Sequence, residues 1–84
     1  MRCSLIIGLA VTEAIAAMPE VPHELFTLEC LAIGRVPFGG GAVVYKTAGA
    51  LTTCTRAVGS MGLIEYEVDE NDGVVTITSV ISMF

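Results

Sequence analysis

The chain has 84 residues, of which 54% are hydrophobic and 15% are charged, and its formal net charge is −5. This length predicts a single domain over residues 1–84, with more apolar material than so small an interior can bury. The acidic balance excludes indiscriminate binding to nucleic acid or to an anionic membrane surface, because Lys and Arg supply most of the affinity in both cases.

The first segment allows two structural interpretations. Residues 4–18 fit a helix, whereas the apolar run over residues 3–11 also fits a strand. Arg2 followed by that run outlines a short secretory signal, and Glu13 just before the possible cleavage site opposes it. The run is too short to cross a bilayer. Three widely spaced cysteines, Cys3, Cys30 and Cys54, fit reduced thiols in a cytoplasmic protein, and the acidic charge opposes membrane contact.

A second helix is predicted over about residues 23–33, between Pro22, which suits a first helical turn, and Gly34, which suits a stop. The expected core side of this helix is Leu25, Leu28 and Ala32, with Phe26, Cys30 and Ile33 near them. Residues 35–41 contain three consecutive glycines and predict a loop. Residues 42–49 remain ambiguous between a strand and a short helix.

Residues 50–61 are predicted to be helical. Leu51, Cys54, Val58 and Met61 recur at spacings of three, four and three, and Gly62 follows as a left-handed cap. Residues 62–80, "GLIEYEVDENDGVVTITSV", alternate between apolar and polar side chains on both sides of an acidic turn, which predicts a β-hairpin. Asn71, Asp72 and Gly73 are expected to supply positive φ in that turn.

A helix that ends in glycine and leads into a β-hairpin resembles the end of a winged helix-turn-helix domain, over about residues 42–80. The resemblance implies that residues 50–61 are the recognition helix on duplex DNA. The DNA-binding residues would be Lys46, Thr52, Thr53, Thr55, Arg56 and Ser60. The sequence departs from the family where "GGGAVVYKTAG" replaces a regular polar helix, and where Asp69, Glu70 and Asp72 occupy the wing tip.

Other chemistry has little support in the sequence. "GGAVVYKT" matches a Walker phosphate loop at Gly40, Lys46 and Thr47, but Tyr45 replaces the second glycine. His23 and Cys30 could form a nucleophile pair only with a third, orienting group. Glu65 and Glu67 could pair as carboxylates on one strand face. Three cysteines and one histidine lack the count and spacing of a disulfide framework or a zinc site, so no metal or cofactor is expected.

The prediction is therefore a small α+β, winged-helix-like domain with three or four helices followed by a C-terminal β-hairpin. A ferredoxin-like α/β sandwich is the alternative if residues 3–11 form a strand. The predicted function is a non-enzymatic, dimeric transcription-regulator module that binds duplex DNA through helix 50–61. The alternative is a non-catalytic protein-interaction or assembly subunit that uses its apolar N-terminal helix and C-terminal tail.

Overall fold

The structure is a computed structural model that describes residues 4–84, which form two helices on one face of a five-stranded mixed sheet. The elements in chain order are β1 (Ser4–Ile7), α1 (Leu9–Ala16), α2 (Glu20–Arg35), β2 (Val43–Ala48), β3 (Leu51–Ala57), β4 (Gly62–Asp69) and β5 (Val74–Ser82). The strand order is β1-β5-β4-β3-β2, with β1 parallel to β5 and the other neighbours antiparallel.

The predicted fold is wrong. A winged helix needs three helices before its hairpin, whereas residues 4–84 contain two helices and a sheet that extends from β1 to β2. The ferredoxin-like alternative also fails, because both helices lie between β1 and β2 and four strands then follow without interruption. The sheet, and not a helical core, is therefore the framework of the molecule.

The predicted recognition helix over residues 50–61 is the strand β3 and the turn that follows it. Thr52, Cys54 and Arg56 are buried and their neighbours are more exposed, which is the period of two expected of a strand. Three threonines favour the extended backbone because β-branched side chains pack well on a pleated sheet. The helical spacing of Leu51, Cys54 and Val58 was coincidental.

The N-terminal segment combines both earlier interpretations. Residues 4–7 form β1 and the helix begins only at Leu9, so the predicted helix over residues 4–18 is wrong in its first turn. Cys3, the first residue of the alternative strand, lies outside the described residues. The second helix is confirmed, but it begins at Glu20 and continues through Gly34 to Arg35. Gly34 is therefore not a stop; a Cβ there would lie 3.1 Å from the Leu5 side chain.

The predicted C-terminal hairpin is confirmed as β4 and β5, which pair from Asp69↔Val74 to Gly62↔Ser82. In the turn, the Asp69 carboxylate accepts hydrogen bonds from the backbone N–H groups of Asn71 and Asp72, at 3.0 and 3.1 Å. Only Gly73 has positive φ there, so the expectation for Asn71 and Asp72 is wrong. Hydrogen bonds to the Asp69 side chain therefore stabilise this turn, in place of the left-handed backbone that was expected at Asn71 and Asp72.

The core lies between the two helices and the sheet face that they cover, here called the helical face. Its members are Val11, Ile15, Phe26, Cys30, Ile33, Cys54, Val58, Ile64, Tyr66, Val68, Val75 and Ile77. The opposite face, here called the open face, carries alternate residues such as Thr53, Thr55, Glu65 and Glu67, which are half-buried. The sheet thus has one apolar side and one polar side, as antiparallel sheets commonly do.

Candidate protein-binding site

Helix α2 has apolar side chains on two sides, and only one side is covered. Phe26, Cys30 and Ile33 pack into the core. Val21, Leu25 and Leu28, at spacings of four and three, form a stripe that faces solvent. The expected core side of this helix was therefore displaced by about one residue, because Leu25 and Leu28 point outward. Leu28 remains 55% exposed, and together with Val21 and Leu25 it forms a patch, which is more informative than one exposed leucine.

A groove separates α1 from α2 next to this stripe. It encloses about 260 Å³ and is here called the helical groove; its lining is Ile7, Thr12, Ile15, His23, Thr27, Cys30 and Leu31. A second, more open hollow of about 340 Å³ adjoins it and shares His23 and Thr27. Leu28 of the stripe lines this hollow. Leu28 therefore connects the stripe to the hollow, and the hollow connects to the helical groove through His23 and Thr27.

The polar residues of the groove are already satisfied by the protein backbone. His23 Nδ1 donates to the Ile15 carbonyl oxygen at 2.9 Å, which ties α2 to the end of α1. A carbonyl can only accept, so this contact places the hydrogen on Nδ1. Thr27 donates to the His23 carbonyl at 2.7 Å, and Thr12 donates to the Gly8 carbonyl at 3.1 Å. The hydroxyl donors are therefore engaged within the helices, and the groove offers mainly carbon to a ligand.

Cys30 and His23, considered as a nucleophile and its base, both line this groove. Burial, together with the neighbouring Glu29 carboxylate, raises the pKa of the Cys30 thiol from 9.0 to about 11. The thiol is therefore protonated at neutral pH, whereas nucleophilic attack needs the thiolate. The sequence suggested the two residues but could not show that the second is unreactive.

The rim of this surface is acidic. Glu20 and Glu24 line the hollow beside Leu28, and Glu13 is exposed on α1. Within residues 4–84 the exposed cations are Arg35, at the far end of α2, and Lys46 in β2. An apolar surface with carboxylates at its edge is complementary to a partner that carries apolar side chains flanked by Lys or Arg.

The residues predicted to bind DNA do not form one surface. Thr52 and Arg56 are buried on the helical face, and Thr53 and Thr55 lie on the open face. Lys46 is exposed in β2, and Ser60 is exposed in the turn after β3. Contact of these residues with DNA is untested, but the helix that would have presented them is absent from residues 50–61.

Arg56 has a structural environment instead. Only 4% of it is exposed, and its Nε lies 3.2 Å from Glu29 Oε1 and donates to the Gly40 carbonyl at 3.1 Å. Its Nη2 donates to the Gly39 carbonyl at 2.5 Å. The glycine loop therefore presents carbonyl oxygens to a cation. A phosphate loop would present N–H groups at the start of a helix, whereas Lys46 and Thr47 lie in a strand.

The carboxylates considered as a pair, Glu65 and Glu67, both lie on the open face of the sheet and are half-buried. Glu65 accepts a hydrogen bond from the Tyr45 hydroxyl at 2.6 Å, which raises the pKa of Tyr45. Among residues 4–84, no three His, Cys, Asp or Glu side chains are arranged to hold a metal ion. No helix in that range is long and apolar enough to cross a membrane.

Comparison with known proteins yields one informative structural likeness. No known family profile matches the chain, and no curated protein matches it in sequence. The fold is similar to a chain in the crystal structure of the archaeal RelE–RelB complex from Pyrococcus horikoshii OT3. The match has a TM-score of 0.85 at 18% identity and covers 98% of this chain and 96% of that chain. The chain therefore shares the fold of a protein that was crystallised within a complex, and this likeness replaces the winged-helix prediction.

Proposed function

We propose that the protein is a non-catalytic subunit of a two-protein, toxin–antitoxin-type complex, and that the stripe and the helical groove bind its partner. The observation that carries the proposal is the uncovered apolar side of α2, formed by Val21, Leu25 and Leu28. Isolated exposed apolar residues are ordinary, but a contiguous set beside a groove marks an interaction surface. The full-length fold likeness to a chain of the RelE–RelB complex supports the class of assembly.

The partner segment that fits this surface is an amphipathic helix. A groove between two helices accepts the ridge of a third, with apolar side chains every three or four residues. The carboxylates of Glu20 and Glu24 at the rim favour Lys or Arg beside that ridge. We expect salt to weaken the complex, because exposed charges are screened over about 8 Å at physiological ionic strength.

The non-catalytic part of the proposal rests on the state of the groove residues. The Cys30 thiol has a pKa of about 11, so it is not prepared for nucleophilic attack, which needs the thiolate. His23 donates to the Ile15 carbonyl through Nδ1 and keeps Nε2 as an acceptor, so the protonated thiol, and not the imidazole, supports a non-catalytic groove. The same two residues serve the packing of α1 against α2.

The test is co-expression of the chain with the protein encoded beside its gene, followed by co-purification and measurement of Kd. We expect a complex that Leu28→Lys weakens by about 30-fold, which corresponds to loss of a 2 kcal/mol hot spot. Val43→Lys is the matched control, because Val43 is similarly exposed but lies on β2 at the other side of the sheet. It should leave the affinity unchanged.

The toxin–antitoxin class has its own readout. Expression of either chain alone and of both together should give different growth rates, with one chain suppressing the effect of the other. No complex with the adjacent product would overturn the proposed function. A complex that binds equally well to the Leu28→Lys variant would overturn the assignment of the site, while a growth effect without any physical complex would overturn the class.

A further inference from the structure

The outer edge of β2 is an unpaired strand edge. Among residues 4–84, β2 pairs with β3 alone in the order β1-β5-β4-β3-β2, so the backbone groups on its other side have no strand of the described chain beside them. All six residues of Val43–Ala48 are exposed. Such an edge is a template for a further strand, and proteins usually shorten it, charge it, bend it or cover it.

The protection of this edge is incomplete. The register between β2 and β3 shifts between Val44 and Lys46, which is a bulge, and Lys46 supplies one charge. Before Lys46 the strand is apolar: Val43, Val44 and Tyr45 are each at least 50% exposed. The glycine loop that enters β2 adds exposed Val36 and Phe38. The loop is fastened to the helical face by Arg56 and by the Tyr66 hydroxyl, which donates to the Pro37 carbonyl at 2.5 Å.

The distribution of charge selects the occupant. Lys46 is the charged residue of β2, and it is exposed. The carboxylates of residues 4–84 lie on the helices, at the β4–β5 turn and on β4, where Glu65 accepts a hydrogen bond from the Tyr45 hydroxyl on the open face. Two copies that each carry −5 repel one another least if they meet at a strand that has no carboxylate of its own. A foreign strand rich in Lys or Arg would instead meet Lys46.

We propose that two copies of the chain pair antiparallel through the outer edges of β2, which extends each five-stranded sheet into its partner. A two-fold pairing of this kind uses the same patch on both copies. The contact is small, a six-residue edge with Val36 and Phe38, against about 800 Å² per partner in a standard stable interface. The dimer is therefore weak and forms with rising concentration. It leaves the stripe and the helical groove free, so it is independent of the proposed function.

Two measurements on the purified chain test this pairing. Sedimentation equilibrium should show a concentration-dependent dimer, and Val43→Lys should raise its Kd about tenfold or more, by placing new charge at the contact. Leu28→Lys is the matched control, with a similar exposed fraction on the opposite side, and should not change the Kd. Val43→Lys is thus the test for the dimer and the control for the partner complex, and Leu28→Lys is the reverse.

Hydrogen exchange tests the same pairing on the unmodified protein, without any substitution. Amides on the outer edge of β2 should exchange more slowly as concentration rises, whereas amides of α2 should not change. A chain that stays monomeric at its solubility limit would overturn the proposal. So would a dimer in which β2 exchange does not depend on concentration, because that dimer must use another surface.

Discussion

At the scale of single residues, Arg56 shows why a basic residue in an acidic chain need not bind an acidic ligand. Its guanidinium contacts the Glu29 carboxylate on α2 and two carbonyls of the glycine loop, while its backbone belongs to β3. A buried cation is costly unless it is paired and hydrogen-bonded. Arg56 meets that condition by joining three segments that are far apart in sequence. Its Nη1 is buried and has no hydrogen-bond partner among residues 4–84.

We predict that Arg56→Met lowers the free energy of unfolding by about 3 kcal/mol, because it leaves Glu29 without its cation and the loop carbonyls without donors. Urea titration followed by circular dichroism measures this change. Arg35→Met, which removes an exposed cation, should change stability by less than about 0.5 kcal/mol. Adding Glu29→Gln to Arg56→Met should recover part of the loss, since no unpaired carboxylate then remains. Equal free energies of unfolding for Arg56→Met and Arg35→Met would show that the contacts of Arg56 do not stabilise the fold.

Tyr66 is a second buried polar residue with a measurable role. Burial raises its pKa from 10.0 to about 12, and its hydroxyl donates to the Pro37 carbonyl. A group with a raised folded-state pKa stabilises the protein fully below its unfolded pKa and loses that contribution as pH rises through the folded value. The free energy of unfolding should therefore fall between about pH 10 and pH 12.

Tyr66→Phe should remove the part of the decrease in unfolding free energy above pH 10 that Tyr66 causes. It should also lower the free energy of unfolding by about 1 kcal/mol at neutral pH through loss of the hydrogen bond. Thermal or urea unfolding at closely spaced pH values measures both effects. Parallel curves for the variant and the natural chain above pH 10 would contradict the assignment of the titrating group to Tyr66.

At the scale of elements, local pattern predicted the hairpin and α2 but failed at β3. The hairpin has regular alternation and a turn whose residues interact with one another, so its structure is encoded locally. In β3 the inward side chains include Thr52 and Arg56, so the polar-versus-apolar pattern gave no period of two. The partners that make Arg56 an inward residue come from α2 and the loop. The sequence of residues 50–61 alone therefore could not predict that Arg56 points inward.

The same limit applies to the candidate site. The sequence showed that α2 is apolar around much of its circumference, but the sheet decides which side is buried. Because Phe26, Cys30 and Ile33 face the sheet, Leu25 and Leu28 are left outside. The sequence signal for a binding surface was the excess of apolar residues around α2, since a helix that packs on one side needs only one apolar stripe.

Gly62, expected as a helix cap, is required for another reason. It begins β4, is buried, and has a φ of 153°. A Cβ at this position would collide with the Ile81 carbonyl oxygen of β5 and lie 3.1 Å from the Phe26 ring. The glycine therefore lets the end of the hairpin approach α2 closely.

We predict that Gly62→Ala destabilises the protein by more than 2 kcal/mol, because neither backbone oxygen nor packed ring can move away cheaply. Gly59→Ala is the matched control: its φ is also positive, at 55°, but a Cβ there meets no atom within 4 Å. That change should cost only about 1 kcal/mol of backbone strain. Denaturant titration of both variants separates the two causes, and similar losses would mean that the close approach is unimportant.

At the scale of the whole molecule, composition predicted apolar surface, and the structure shows where it lies. The helical layer exposes Leu9, Val21, Leu25, Leu28 and Leu31. The β2 side exposes Val36, Phe38, Val43, Val44 and Tyr45, and β1 with the C-terminal end exposes Ile6, Ile7, Ile81, Met83 and Phe84. The C-terminal tail is partly docked, since the Phe84 ring meets the Phe26 ring edge-on at 6.4 Å between centroids. The sequence could indicate how much apolar surface to expect, but its distribution over the molecule depends on which elements form the two sides and the edges of the sheet.

The parallel contact between β1 and β5 has a consequence for biosynthesis. The first strand of the described chain finds its only strand neighbour in the last one, with Ser4 opposite Val74 and Ile7 opposite Ile77. During translation β1 emerges well before β5, so the nascent β1 has no strand to pair with until residues 74–77 follow it. Contacts between such distant parts of a chain are slow to form. Closure of the sheet is consequently a late step in folding, and until then Leu5, Ile6 and Ile7 lack the strand that they pair with.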